Sequence, residues 1–152
     1  MRIVSGGQTG VDRAALDVAL DHGIDCGGWC PEGRVDEFGQ IPDRYPVQEL
    51  PNGSLEARTR QNVVDSDGTV VFHHGELRGG TVYTVQCCAE QRKPYILIDA
   101  VTLSAEDAAL QVARFIREHG IERLNVAGPR QSEWPHGYEF AAKALNRFLA
   151  QT

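Results

Sequence analysis

Residues 5–12 read SGGQTGVD and follow directly on the short apolar run Arg2-Ile3-Val4. A strand that runs into glycines and then into an apolar helical pattern makes a tight strand-to-helix turn. Glycine there supplies positive φ and lets the helix sit close to the strand. The same turn leaves backbone N–H groups at a helix N-terminus, where they attract anions. On this stretch alone a packing turn and an anion site are both open.

The remaining elements place the turn in a fold. Continuous apolar runs at 2–6, 69–73, 95–99 and 123–128, with a weaker one at 24–30, suit strands buried on both faces of a parallel sheet. Helical spacing lies between them: Val11, Ala15, Val18 and His22; Thr59 to Val63; Val82, Val85 and Ala89. A fourth helix over 104–120 has Ser104 as N-cap, Gly120 as its stop and a stripe of Ala105, Ala109, Val112 and Ile116. A last helix at 136–150 buries Phe140, Ala144 and Phe148. Residues 31–53, rich in proline and glycine, predict a long irregular excursion. Strand and helix alternate, which predicts one domain over 1–152: an α/β, three-layer, doubly wound, mainly parallel sheet of Rossmann-like type.

Bulk properties narrow the function. A chain of 152 residues can bury a sizeable core, and a net charge of −6 argues against non-specific nucleic-acid binding. No apolar run approaches bilayer length and the N-terminus does not resemble a leader, so a cytoplasmic protein without membrane attachment is expected. Cys26, Cys30, Cys87 and Cys88 lack zinc-ribbon spacing and predict free thiols, with no metal held by the protein.

In a doubly wound sheet, ligands sit beyond the carboxyl ends of the strands. That rule brings GGQTGVD, HHGELRGGT, DAVTLS and GPRQSEWPHGY to one rim. Two of these loops add glycines, hydroxyls and cations ahead of a helix: Arg78 with Gly79, Gly80 and Thr81, and Gly128, Pro129, Arg130 and Ser132. Backbone donors, hydroxyls and a planar guanidinium together suit a phosphate. Neither GxxxxGK[ST] nor GxGxxG is present, which weighs against the classical ATPase and NAD-dehydrogenase readings. His73 and His74 are neighbours on a strand, so at most one faces the site. Asp12, Asp17, Asp65 and Asp67 read as caps or surface groups, with Asp12 capping or orienting the first loop.

Taken together, SGGQTGVDRAALDVAL, GGWCPEGR, IPDRYPVQE, ARTRQNVVDSDGTVV, RGGTVYT and NVAGPRQS resemble the molybdenum cofactor carrier family, from residue 3 to about 140. That family is a circularly permuted branch of the SLOG, or Lonely Guy-like, superfamily of Rossmann-like nucleotide binders. The resemblance implies a pocket for a phosphate-bearing ligand, the molybdenum cofactor or a nucleotide, and a homo-oligomer. It also implies molybdenum cofactor enzymes as partners. By motif it points to Gly6, Gly7, Gln8, Thr9 and Gly10, to Arg34, to Arg58, Thr59 and Asn62, to Arg78, Gly79, Gly80 and Thr81, and to Gly128, Pro129, Arg130 and Ser132. Two departures stand out. Phe38 replaces the acid of a Glu-Asp-Gly, and RGGTVYTVQ ends in Gln86 where the phosphoribohydrolase relatives carry a catalytic glutamate. These features favour a binding or carrier protein. An N-glycosidase using Asp12, Asp67 or Glu76 and a nucleotide sensor are the alternatives.

Overall fold

The computed structural model describes residues 1–151. Strands β1 (Arg2–Val4), β2 (Asp25–Cys30), β5 (Val47–Glu49), β6 (Gly68–His73), β7 (Tyr95–Asp99) and β8 (Arg123–Ala127) form a six-stranded sheet in the order β5-β2-β1-β8-β6-β7. Every pairing in it is parallel. Strands β3 (Val35–Asp36) and β4 (Gly39–Gln40) make a separate antiparallel hairpin. Helices α1 (Val11–Asp21), α2 (Leu55–Val64), α3 (Gly79–Glu90), α4 (Ala105–His119) and α5 (Gly137–Ala150) complete a Rossmann-like α/β fold.

The expected five strands are therefore six. The excursion at 31–53 is not wholly irregular: it holds the hairpin, and its last residues add β5 to the sheet beside β2. Pro42, Pro46 and Pro51 mask this short strand in the sequence. Arg34 secures the excursion by donating to the carbonyls of Val47, Pro42 and Tyr45.

The two faces of the sheet are covered unequally. Helices α1, α4 and α5 pack over one face, around Leu16, Val70, Phe72, Ile98, Val112, Leu124, Val126 and Leu145. Helices α2 and α3 pair on the other, where the apolar cluster is only Val63, Cys87 and Cys88. The fourth helix forms as its caps predict: Ser104 Oγ accepts from the Asp107 N–H at 3.1 Å and Gly120 is left-handed.

Burial on α3 and β7 adds detail that periodicity did not give. Val82, Val85 and Ala89 do lie on a helix, but the residues α3 buries are Thr81, Thr84, Cys87 and Cys88, with Val82 and Val85 half-buried and Ala89 exposed. In β7, only Ile98 is fully buried, because this strand is an edge and Tyr95 and Leu97 stand on a face that no helix covers. Smaller differences occur at helix ends. His22 is the exposed C-cap of α1, and Ile116 and Phe140 are half-buried at the margin of the large core.

The cysteines are free and buried, and burial raises the thiol pKa of each. No helix among the described residues is long and apolar enough to cross a membrane.

Close approach of β1 and β2 depends on one residue. Gly28 has φ +139, and a Cβ there would lie 2.1 Å from the Ser5 carbonyl oxygen. Gly28→Ala is accordingly expected to destabilise the protein by about 2 kcal/mol or more, read from chemical denaturation.

Candidate functional site

At the carboxyl ends of β1, β6 and β8, where the strand order reverses, a cavity of about 370 Å³ opens. Its walls come from the loops after β1 and β8, from the end of β8 and from the sides of α2 and α3. Of the residues singled out in the sequence, Gly6, Gln8, Arg58, Thr59, Asn62, Gly79, Gly80, Thr81, Gly128, Pro129 and Arg130 line it. Gly7, Thr9, Gly10, Arg34, Arg78 and Ser132 lie outside the lining.

The opening loop is largely satisfied from within. Gly7 N–H donates to Ser5 Oγ (3.2 Å), Gln8 N–H to Asp12 Oδ2 (3.3 Å) and Thr9 N–H to Gln8 Oε1 (3.0 Å). These three amides stabilise the turn, leaving little donor capacity for a ligand. Thr9 Oγ1 accepts from Gln131 N–H, and Gly10 lies under the backbone of residues 129–131, where a Cβ would come within 2.7 Å of the Pro129 carbonyl oxygen. Gly10 is thus a packing glycine that brings the loops after β1 and β8 together.

Asp12 is the organising group. It is buried, and Arg58 Nη1 reaches its Oδ2 at 3.4 Å from α2. The guanidinium lies against Gly6, where a Cβ would fall 1.8 Å from Arg58 Nη1. Glycine at position 6 therefore makes room for a cation and not only for a turn. Burial raises the Asp12 pKa, while Arg58, the Gln8 N–H and Arg13 lower it; the net direction is up. Arg58 Nε and Arg13 Nε have no hydrogen-bond partner among the described residues.

A second set of contacts closes the loop after β8. Glu37, in the hairpin, accepts from Ser132 N–H (3.1 Å) and Ser132 Oγ (3.2 Å) and lies 3.6 Å from Arg130 Nε. Arg130 also pairs with Glu133 at 2.9 Å. Asp36 of the same hairpin holds Arg13 at 2.7 Å. Ser132 thus serves the hairpin, and the charge of Arg130 is shared between two carboxylates. Phe38, the substituted position, is exposed at the hairpin tip.

The α3 end of the cavity differs. Gly79 and Gly80 begin the helix, and a Cβ on either would meet no atom within 4 Å. Packing requires neither glycine, but Gly79 has φ +50, a left-handed backbone that favours glycine. Thr81 N–H already donates to the Arg78 carbonyl at 3.1 Å, so the donors this turn presents to open space are the N–H groups of Gly79 and Gly80. Arg78, the N-cap, is exposed beside it. Thr59 Oγ1 donates to the Leu55 carbonyl, and Asn62 accepts from Trp29 N–H and donates to the Trp29 carbonyl, which holds both side chains in place along the wall.

Several lining residues carried no signal in the sequence: Leu55, Glu56 and Tyr83 are ordinary helix-surface types. Asn125 did carry one, as an amide inside an apolar strand; it is buried and donates to Thr69 Oγ1. Among the acids weighed above, Asp67 sits at the opposite end of the sheet, accepting from Glu122 N–H and Arg123 N–H, and Asp65 accepts from Trp29 Nε1. His73 is buried with Nδ1 against the Gly75 carbonyl, and His74 turns to Trp134. No cluster of three or more His, Cys, Asp or Glu among the described residues is placed to hold a metal.

Removing Arg58 strands a buried carboxylate. Arg58→Ala is expected to cost roughly 3 kcal/mol in denaturant unfolding. Because the Asp12 pKa lies above the ordinary 3.8 in the folded state, its contribution to stability declines as pH rises from 3.8 towards the raised value. The same titration on Asp12→Asn should lack that decline.

The architecture recurs in a solved structure, "Putative molybdenum carrier protein" from Syntrophus aciditrophicus SB. It is 44% identical with a TM-score of 0.95, and the match covers 97% of this chain and 94% of that one. No curated protein matches this chain. The model of the circularly permutated YpsA SLOG family matches residues 3–149, and the chain belongs to that family.

Proposed function

We propose that the cavity binds a small phosphate-bearing ligand, the molybdenum cofactor or a nucleotide, and that the protein carries this ligand without transforming it. The observation that supports the reading most directly is the α3 N-terminus. Two consecutive glycines there face open cavity space, where a phosphate would meet their two N–H groups and the positive end of the helix dipole. The cavity volume falls within the range of small-molecule sites, and Leu55 and Tyr83 offer an apolar wall for a ring system. The molybdenum carrier name of the 44% identical structure favours a molybdopterin-type cargo. Under this reading the metal arrives as part of the cargo, the protein acts in the cytoplasm, and molybdenum cofactor enzymes receive what it holds.

A second reading rests on Asp12, a carboxyl with a raised pKa that lines the cavity. It would serve as an acid in cleaving a nucleotide's N-glycosidic bond. Release of free base from nucleoside monophosphates, lost in Asp12→Asn, would favour this reading over carriage.

Gly80→Ala separates ligand from fold. The new methyl meets no protein atom, so stability should hold or rise by about 0.5 kcal/mol, since alanine is the better helix former. The methyl would stand where the phosphate approaches, and calorimetry should show about a tenfold weaker Kd, roughly 1.4 kcal/mol. Unchanged affinity in Gly80→Ala, or no binding of molybdopterin or any nucleotide by the wild type, sinks the proposal.

A further inference from the structure

We propose, on the reading of the cavity as a phosphate-ligand site, that Glu56 selects the ligand's ring: its carboxylate accepts the two adjacent N–H donors of a 2-amino-4-oxopyrimidine edge. Guanine and pterins share that edge, and adenine lacks it.

Three carboxylates and two guanidinium groups line the cavity. Asp12 meets Arg58 at 3.4 Å and Glu133 meets Arg130 at 2.9 Å, which leaves the charge of Glu56 over. Arg60, one turn further along α2, has the spacing to pair with Glu56. Among the described residues, however, neither an ion pair nor a side-chain hydrogen bond holds the Glu56 carboxylate. Glu56, Thr59 and Asn62 recur every three residues and all line the cavity, so Glu56 stands on the cavity stripe of α2. An acid in the first turn also favours the helix dipole, but any first-turn position would serve that purpose.

The neighbours of Glu56 define what it can meet. Leu55 and Tyr83 form the apolar part of the wall beside it. The Tyr83 hydroxyl, raised by its hydrogen bond to Cys87 and by burial, is raised further by the Glu56 charge. A planar ring laid on Tyr83 turns its edge to the side chains around it. An ionised carboxylate only accepts hydrogen bonds and repels a phosphate, so the edge that it faces must carry donors. Two adjacent donors engage both of its oxygens at once. Adenine sets one donor beside a lone pair, which the carboxylate repels. Tyr83 lies three residues on from Gly80, a rise of about 4.5 Å along α3, so the ring and phosphate positions are adjacent but separate.

The test is calorimetry on the full chain with GMP, AMP, ribose 5-phosphate and 6-hydroxymethylpterin phosphate at neutral pH. We expect the tighter of the two ligands with paired donors to bind about tenfold or more tightly than AMP, and which of the two it is names the ring. Glu56 is exposed, so Glu56→Gln should fold as the wild type does. That variant should bring the preference over AMP to near one while ribose 5-phosphate binds as before or more tightly. A residue that only supports α2 would change every affinity by the same factor. A wild type that binds AMP as tightly as both ligands with paired donors, or a preference that survives Glu56→Gln, overturns the assignment and leaves the phosphate-ligand reading standing. Binding of none of the four overturns both.

Discussion

A single buried carboxylate ties three parts of this molecule together. Asp12 stands at the start of α1, receives an amide of the loop after β1 and draws Arg58 across from α2. Taking two opposite charges out of water is costly, and they remain there only when each meets the other in good geometry. Much of the local sequence serves that geometry. Gly6 leaves space for the guanidinium, Ser5 Oγ donates to the Asp12 carbonyl, and Ser54 caps α2 so that Arg58 points inward from its first turns. The cavity is the space left between this ion pair and α3.

The fold was legible because a parallel sheet writes itself as apolar runs separated by helical periods. β6 and β8, central strands with both faces covered, read as predicted. β5 did not, since three residues between prolines carry no period, and its place beside β2 depends on the Arg34 guanidinium holding the excursion in shape. The α3 stripe gave the helix but not its buried face. Periodicity reports that one face of a helix is apolar, not that the face turns inward, and here threonines and cysteines fill the inner positions.

The site was legible in part. Glycines before α1, before α3 and after β8 do converge on one rim, yet they differ in kind. Gly10 and Gly128 are small because backbone presses on them: a Cβ at Gly128 would lie 2.5 Å from the Phe72 carbonyl oxygen. Gly80 is small with nothing pressing, whereas Gly79 takes a left-handed φ of +50 that favours glycine by itself. A sequence shows four glycines alike; only their surroundings separate a packing requirement from a vacancy kept for something else. Glu37 was likewise invisible, since its meaning arises from Ser132 and Arg130, about a hundred positions away in the chain.

The unequal covering of the sheet has an evolutionary consequence. The framework is secured by the large core under α1, α4 and α5, whereas α2 and α3, which wall the cavity, share an apolar cluster of three small side chains. Substitutions that reshape the cavity walls draw on the thin layer and leave the thick one intact. Ligand preference in such a molecule can drift while the scaffold stays fixed.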